Sequence, residues 1–112
     1  MSAEKKEKRL PIQIAFGQVF EHIYKRHIAF CVITDVGSDN WCYAAPIVLS
    51  HGKITLRSPG TIFRKDIDNI VGQWSLEQMI SATMNYYGDS ETTRIICDVF
   101  RESSLVPPRL LK

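Results

Sequence analysis

The apolar positions of residues 10–24, Ile12, Phe16, Val19, Phe20 and Ile23, recur mostly at intervals of three and four, the period of one helix face. Pro11 suits a first helical turn, where its missing N–H costs nothing. Lys25, Arg26 and His27 supply positive charge at the far end, where it complements the helix dipole. Gly17 sits inside the run and marks a close packing contact. The pattern predicts a helix over 10–24. The period then changes. Residues 28–36 are rich in β-branched and aromatic types, and Gly37-Ser38-Asp39-Asn40 is turn chemistry. Residues 41–49 read as a second strand, His51-Gly52 as a tight turn and residues 53–57 as a third strand, before Ser58-Pro59-Gly60 ends the run.

Residues 66–71 read as a short helical turn with Ile67, Ile70 and Val71 on one side and Gly72 as its stop. Ser75 is a good N-cap for a stronger helix, whose stripe is Leu76, Met79, Ile80, Thr83, Met84 and Tyr87 and whose end is Gly88. Residues 92–101 fit two descriptions. Thr92, Thr93, Ile95, Ile96 and Val99 are strand formers by type, whereas Ile95, Ile96, Val99 and Phe100 also share a helical face that Asp89 or Ser90 could cap. The strand is preferred by a narrow margin. Residues 103–112 form an extended C-terminal tail with a polyproline tendency at Pro107-Pro108. The expected order is α-β-β-β-α-β, an α+β fold with an N-terminal helix, a three-stranded antiparallel meander, a second helix and a fourth strand, the helices packed on a mainly antiparallel sheet.

Register sorts the meander into two faces. With Gly37–Asn40 as the loop, Val36 faces Trp41; across the second turn Leu49 faces Ile54 and Ile47 faces Leu56. One face then carries Phe30, Val32, Trp41, Tyr43, Ile47, Leu49, Ile54 and Leu56 and is the expected main core under the helices. The other carries Ala29, Cys31, Ile33, Cys42, Ala44, Pro46 and Val48, then Lys53, Thr55 and Arg57. A sheet face turned to water should be polar, so this one is covered too. Two coverings fit it equally: a helix of the same chain, or a partner protein. A partner would meet Cys31, Ile33, Ala44, Val48, Thr55 and Arg57, and a second copy in a homodimer is the commonest such partner.

Composition narrows the class. The 112 residues fit one domain, expected over 10–102, and 45% apolar content is that of a globular chain. Residues 1–9 have too few apolar side chains to order themselves and read as a charged tail. A net charge of +2, from 14 basic and 12 acidic residues, is too small to imply nucleic acid or an anionic membrane. No stretch approaches the roughly 18 apolar residues of a membrane span, and the N-terminus lacks the apolar core of a secretory signal. Cys31, Cys42 and Cys97, odd in number and widely spaced, point to a reducing compartment, the cytoplasm.

Candidate chemistry is sparse. His22, His27, His51 and the cysteines show no metal-ligand spacing, and Cys31 and Cys42 fall about 13 Å apart along their strands at ~3.3 Å per residue, too far for a disulfide or one ion. No nucleophile sits in a recognisable motif, Asp66 and Asp68 read as helix-terminal charges, and Ser58-Pro59-Gly60-Thr61 lacks a phosphate-loop spacing. No catalytic residue, metal or cofactor is expected. Lys53, Arg57, Arg64 and Lys65, with Phe63, could contact an anion or nucleic acid, but they equally guard an edge strand. The leading expectation is a small non-enzymatic protein-binding or regulatory protein of the inhibitor, immunity, adaptor or mobile-element accessory kind. It would act through the second sheet face. A nucleic-acid-binding regulator using the basic group comes second, and a small enzyme with a site at a dimer cleft third.

Overall fold

The computed structural model describes residues 9–24 and 26–112. Strands dominate, in two antiparallel sheets, and both helices follow the seventh strand. This overturns the expected α-β-β-β-α-β order. Residues 10–24 are not a helix but two strands, β1 (Ile12–Ile14) and β2 (Gln18–Tyr24). The helical spacing was a coincidence of burial. At its start β2 is apolar on both faces, Val19 packing into one core and Phe20 into the other, and a strand buried on both sides there does not alternate. The break between β1 and β2 falls at Gly17, whose φ of +89° is open chiefly to glycine. A Cβ there would stand 2.5 Å from both the Trp74 carbonyl oxygen and Gln73 Nε2. Gly17 also donates to the Ile33 carbonyl and accepts from Trp74 N–H, each at 2.8 Å. The close approach that its sequence position suggested is real, but it ties strands together.

The meander itself is present as β3 (His27–Asp35), β4 (Trp41–Ser50) and β5 (Lys53–Leu56). Its observed pairs include Val32 with Ala45, Ile33 with Ala44, Ile47 with Leu56 and Leu49 with Ile54. One irregularity was not foreseen. The register shifts between Ile33 and Asp35, so Asp35 lies opposite Tyr43 rather than Cys42. After β5 the chain continues along the same edge of β4 as β6 (Gly60–Phe63), the residues 57–59 bulging between them opposite Ala45 and Pro46. Residues 66–71 are not a helical turn. A 3-10 turn, Arg64–Asp66, leads into β7 (Asn69–Gln73), which pairs with β2 and completes a sheet ordered β5-β4-β3-β2-β7 with β6 also on β4.

Two helices then form a hairpin. α1 (Leu76–Tyr87) opens on a capping box, Ser75 accepting from Gln78 N–H at 3.1 Å and Gln78 reaching back to Ser75 N–H at 2.8 Å. α2 (Glu91–Ser103) replaces the expected fourth strand. Ser90 caps it, and the Thr93 hydroxyl donates to the Gly88 carbonyl, so one of the β-branched residues that favoured a strand secures the turn between the helices. Thr93, Cys97 and Phe100 recur at helical spacing and are buried, and this packing overrides the local β preference. The tail expected over 103–112 ends in β8 (Arg109–Leu111), paired with β1. The charged run over 1–9 lies outside the described residues apart from Arg9, which donates to the Ile67 carbonyl and pairs with Asp68 at 2.8 Å.

These elements enclose two cores, one on each face of the sheet. Beneath the helical hairpin lie Val19, Val32, Ala45, Leu56, Met79, Ala82 and Phe100. On the opposite face Phe20, Cys31, Ile33, Cys42 and Ala44 are closed over by Ile14 of β1, Leu111 of β8 and Ile67 after the 3-10 turn. The heavy face is therefore only partly the helix-covered core that its composition implied. Phe30, Tyr43, Leu49 and Ile54 remain exposed, because the hairpin of helices spans only part of the sheet.

Candidate functional site

The face expected to meet a partner is filled from within the chain. Cys31, Ile33 and Ala44 are buried beneath β1 and β8. The cover is neither of the two that the sequence allowed, since it comes from the chain's own strands rather than from a helix or a second protein. Val48 is half-buried. Thr55 is buried, its hydroxyl donating to the Val48 carbonyl at 2.8 Å. Arg57 stacks on Tyr86 with its guanidinium carbon 4.1 Å from the ring centroid. These six residues do not form one accessible patch.

The basic group is also dispersed. Lys53 pairs with Ser50 at one end of β4, while Phe63, just before Arg64 and Lys65, pairs with Trp41 at the other. Nine residue steps along β4 separate them, about 30 Å at ~3.3 Å each. Arg64 spends its guanidinium internally, donating to the carbonyls of Leu10 at 2.7 Å and Ile67 at 2.9 Å. Among the described residues no group of three His, Cys, Asp or Glu side chains could hold a metal ion, and no helix is long and apolar enough to cross a membrane.

The three thiols are free and buried. Burial pushes Cys31 up to about 11. It pushes Cys42 up to about 12, with Asp35 and Cys31 adding to the rise, and Cys97 is raised by burial as well. Native protein is therefore expected to react slowly with iodoacetamide at pH 8 and to yield three modified thiols once denatured. The same shifts set an alkaline limit. Unfolded thiols release protons near 9 and folded Cys31 and Cys42 only near 11 and 12. Between those values stability falls as pH rises, by up to about 1.4 kcal/mol per pH unit for each thiol. Urea titrations at pH 8 and pH 10 check this, and the loss should shrink in a Cys31→Ala, Cys42→Ala variant.

What the fold does leave open is a groove of about 310 Å³ between α2 and the sheet, lined by Thr34, Asp35, Tyr43, Pro59, Ile95, Ile96, Val99 and Phe100. Each wall has a local cause. The register shift in β3 sets Asp35 beside Tyr43, and the bulge between β5 and β6 contributes Pro59. Gly37, at φ +61° and with the Trp41 carbonyl oxygen 2.5 Å from where a Cβ would be, turns the chain tightly enough for its N–H to reach Asp35 Oδ1 at 3.0 Å. Phe100 forms the floor and packs edge-on against Phe16, ring centroids 5.8 Å apart. Ile95 and Val99, 56% and 46% exposed, form the helix wall.

Sequence reasoning named none of these as a site. The available signal was an apolar helix face too wide for a single core stripe. Thr93, Cys97 and Phe100 already supply a buried stripe, so Ile95 and Val99 are surplus to it. No family model, no curated protein and no solved structure matches the chain.

Proposed function

We propose that this chain is a small non-enzymatic protein-binding protein that engages its partner through the groove between α2 and the sheet. One observation carries the reading: Ile95 and Val99 stand exposed on a helix whose opposite side already fills the core, above a groove floored by apolar side chains. Exposed apolar surface of this kind costs free energy in water and marks contact sites. A helix wall and a sheet wall enclosing an apolar floor suit a side chain of another protein. Regulatory roles of the inhibitor, immunity, adaptor or mobile-element accessory kind all work by such complementarity. A reducing cytoplasm fits three free, buried thiols. The partner is a foreign protein or a second copy of this chain, and light scattering on the purified protein separates the two.

The test is a comparison of folded variants. Ile95→Asp and Val99→Asp place a charge on an exposed wall, so melting curves should shift little. Affinity capture from the native cells, quantified beside wild type, should lose its partner by tenfold or more, since a buried unpaired charge at an interface is strongly unfavourable. Equal recovery of the same proteins by wild type and both variants removes the groove as the binding site.

A further inference from the structure

The groove is apolar on its floor and carries one acid in its lining, Asp35, which has no ion pair among the described residues. Asp35 is half-buried and uses Oδ1 to accept from Gly37 N–H. Among the described residues no cation lies within ion-pair distance of its carboxylate. Arg109 approaches the same loop but donates to the Gly37 carbonyl instead. On α2, Glu102 lies three residues beyond Val99 and seven beyond Ile95, on the same helix face. It is exposed and likewise has no ion pair among the described residues. The contrast is with the other two acids of the helix: Glu91 pairs with Arg94 at 2.9 Å and Asp98 with Arg101 at 3.1 Å. Capacity limits the occupant as well. A volume of about 310 Å³ is at the lower end for ligand sites, enough for one or two large side chains.

We propose that the groove takes a peptide segment of a partner protein that presents a large apolar side chain next to a lysine or arginine. This rests on the reading of the groove as a protein-binding site. The apolar side chain fills the space between Ile95, Val99 and Phe100, and the neighbouring cation reaches the Asp35 carboxylate. Because Asp35 has given up part of its hydration in the free protein, a charge-assisted hydrogen bond from the partner meets a reduced desolvation cost. Glu102 extends the same negative field to the end of the helix and adds to attraction at low salt.

Methyl NMR signals of Ile95 and Val99 in the full chain, titrated with three capped hexapeptides, test this. The first is Gly-Lys-Leu-Phe-Lys-Gly; in the others both lysines are serine or both are glutamate. The lysine peptide is expected to shift these methyls with about tenfold higher affinity than the serine peptide, and the glutamate peptide to bind weakest. Asp35→Asn keeps an acceptor for Gly37 N–H while removing the charge, so the variant should stay folded and lose the lysine preference. A preference that survives in Asp35→Asn, or equal binding of all three peptides by wild type, overturns the charge selectivity and leaves the groove an apolar docking site. Unmoved methyls with every peptide overturn both this inference and the reading on which it rests.

Discussion

Ala44→Arg is expected to unfold this protein. Ala44 is 3% exposed and paired with Ile33 on one side and Gly60 on the other. Its side chain joins a cluster made of Ile14, Phe20, Cys31, Ile33, Val36, Cys42, Ile67 and Leu111, which contains no carboxylate. A guanidinium forced into that site has no partner, and an uncompensated buried charge costs about 3–5 kcal/mol, on top of the overpacking caused by a long side chain. For a domain whose stability is on the order of 5–15 kcal/mol, that loss is decisive or nearly so. Circular dichroism melts should show no cooperative transition, or one far below wild type. Tyr43→Arg, one residue away on an exposed position, should melt close to wild type. A folded, soluble Ala44→Arg protein would mean that the cover provided by β1 and β8 opens in solution.

The same residues show what was legible in the sequence. The pairing of the meander could be read correctly across the His51-Gly52 turn, Ile47 with Leu56, and in the middle of the first hairpin, Val32 with Ala45, but the expected pair of Val36 with Trp41 beside Gly37–Asn40 is lost to the shift between Ile33 and Asp35, which leaves no mark in the residue pattern. The inference that the Cys31–Ile33–Ala44 face must be covered was also sound. What covers it was not legible. Ile12 and Ile14 pair with Leu111 and Arg109, and contacts between segments so remote in sequence leave no local periodicity. The false helix over 10–24 has the same origin, since Val19 and Phe20 answer to two different cores. In α2, by contrast, the helical pattern was visible and residue type outweighed it; the N-cap at Ser90 was the better guide. The groove escaped notice because it depends on a bulge in β3, a second bulge between β5 and β6, and a helix that had been read as a strand. Asp35, Pro59 and Val99 meet only when all three are in place.

Leu111→Ala should rank with the most damaging truncations in the protein. A residue in a region that reads as a tail would ordinarily tolerate change. Here Leu111 is fully buried in the cluster that β1 and β8 together close over the main sheet, and the next residue, Lys112, donates its N–H to the Asp39 carbonyl at 2.8 Å. Removing three carbons from a closed site leaves a cavity, and the expected cost is about 2–5 kcal/mol. Leu110, its neighbour, points away and is 53% exposed, so Leu110→Ala should stay within about 0.5 kcal/mol of wild type. Denaturant titration of the two variants side by side checks the alternation of β8. Equal, small effects at both positions would show that the strand does not seal the core.

Pairing of β1 with β8 also carries a consequence for biosynthesis. The β2–β3 and β4–β5 hairpins and the helical hairpin need only neighbouring residues and can form as soon as each has left the ribosome. The Phe20–Ile33–Ala44 face cannot be closed until residues 109–111 have been translated and have travelled back to the first strand. Such a closure joins nearly opposite ends of the described chain and is slow relative to local contacts. During that interval a nascent chain holds an open apolar sheet, the kind of surface that chaperones bind and that aggregates when they are scarce. Chains stalled before residues 109–111 have emerged from the ribosome should therefore be protease-sensitive and chaperone-bound, and those stalled after they have emerged released, making the pairing of β8 with β1 the timing step in closing this sheet.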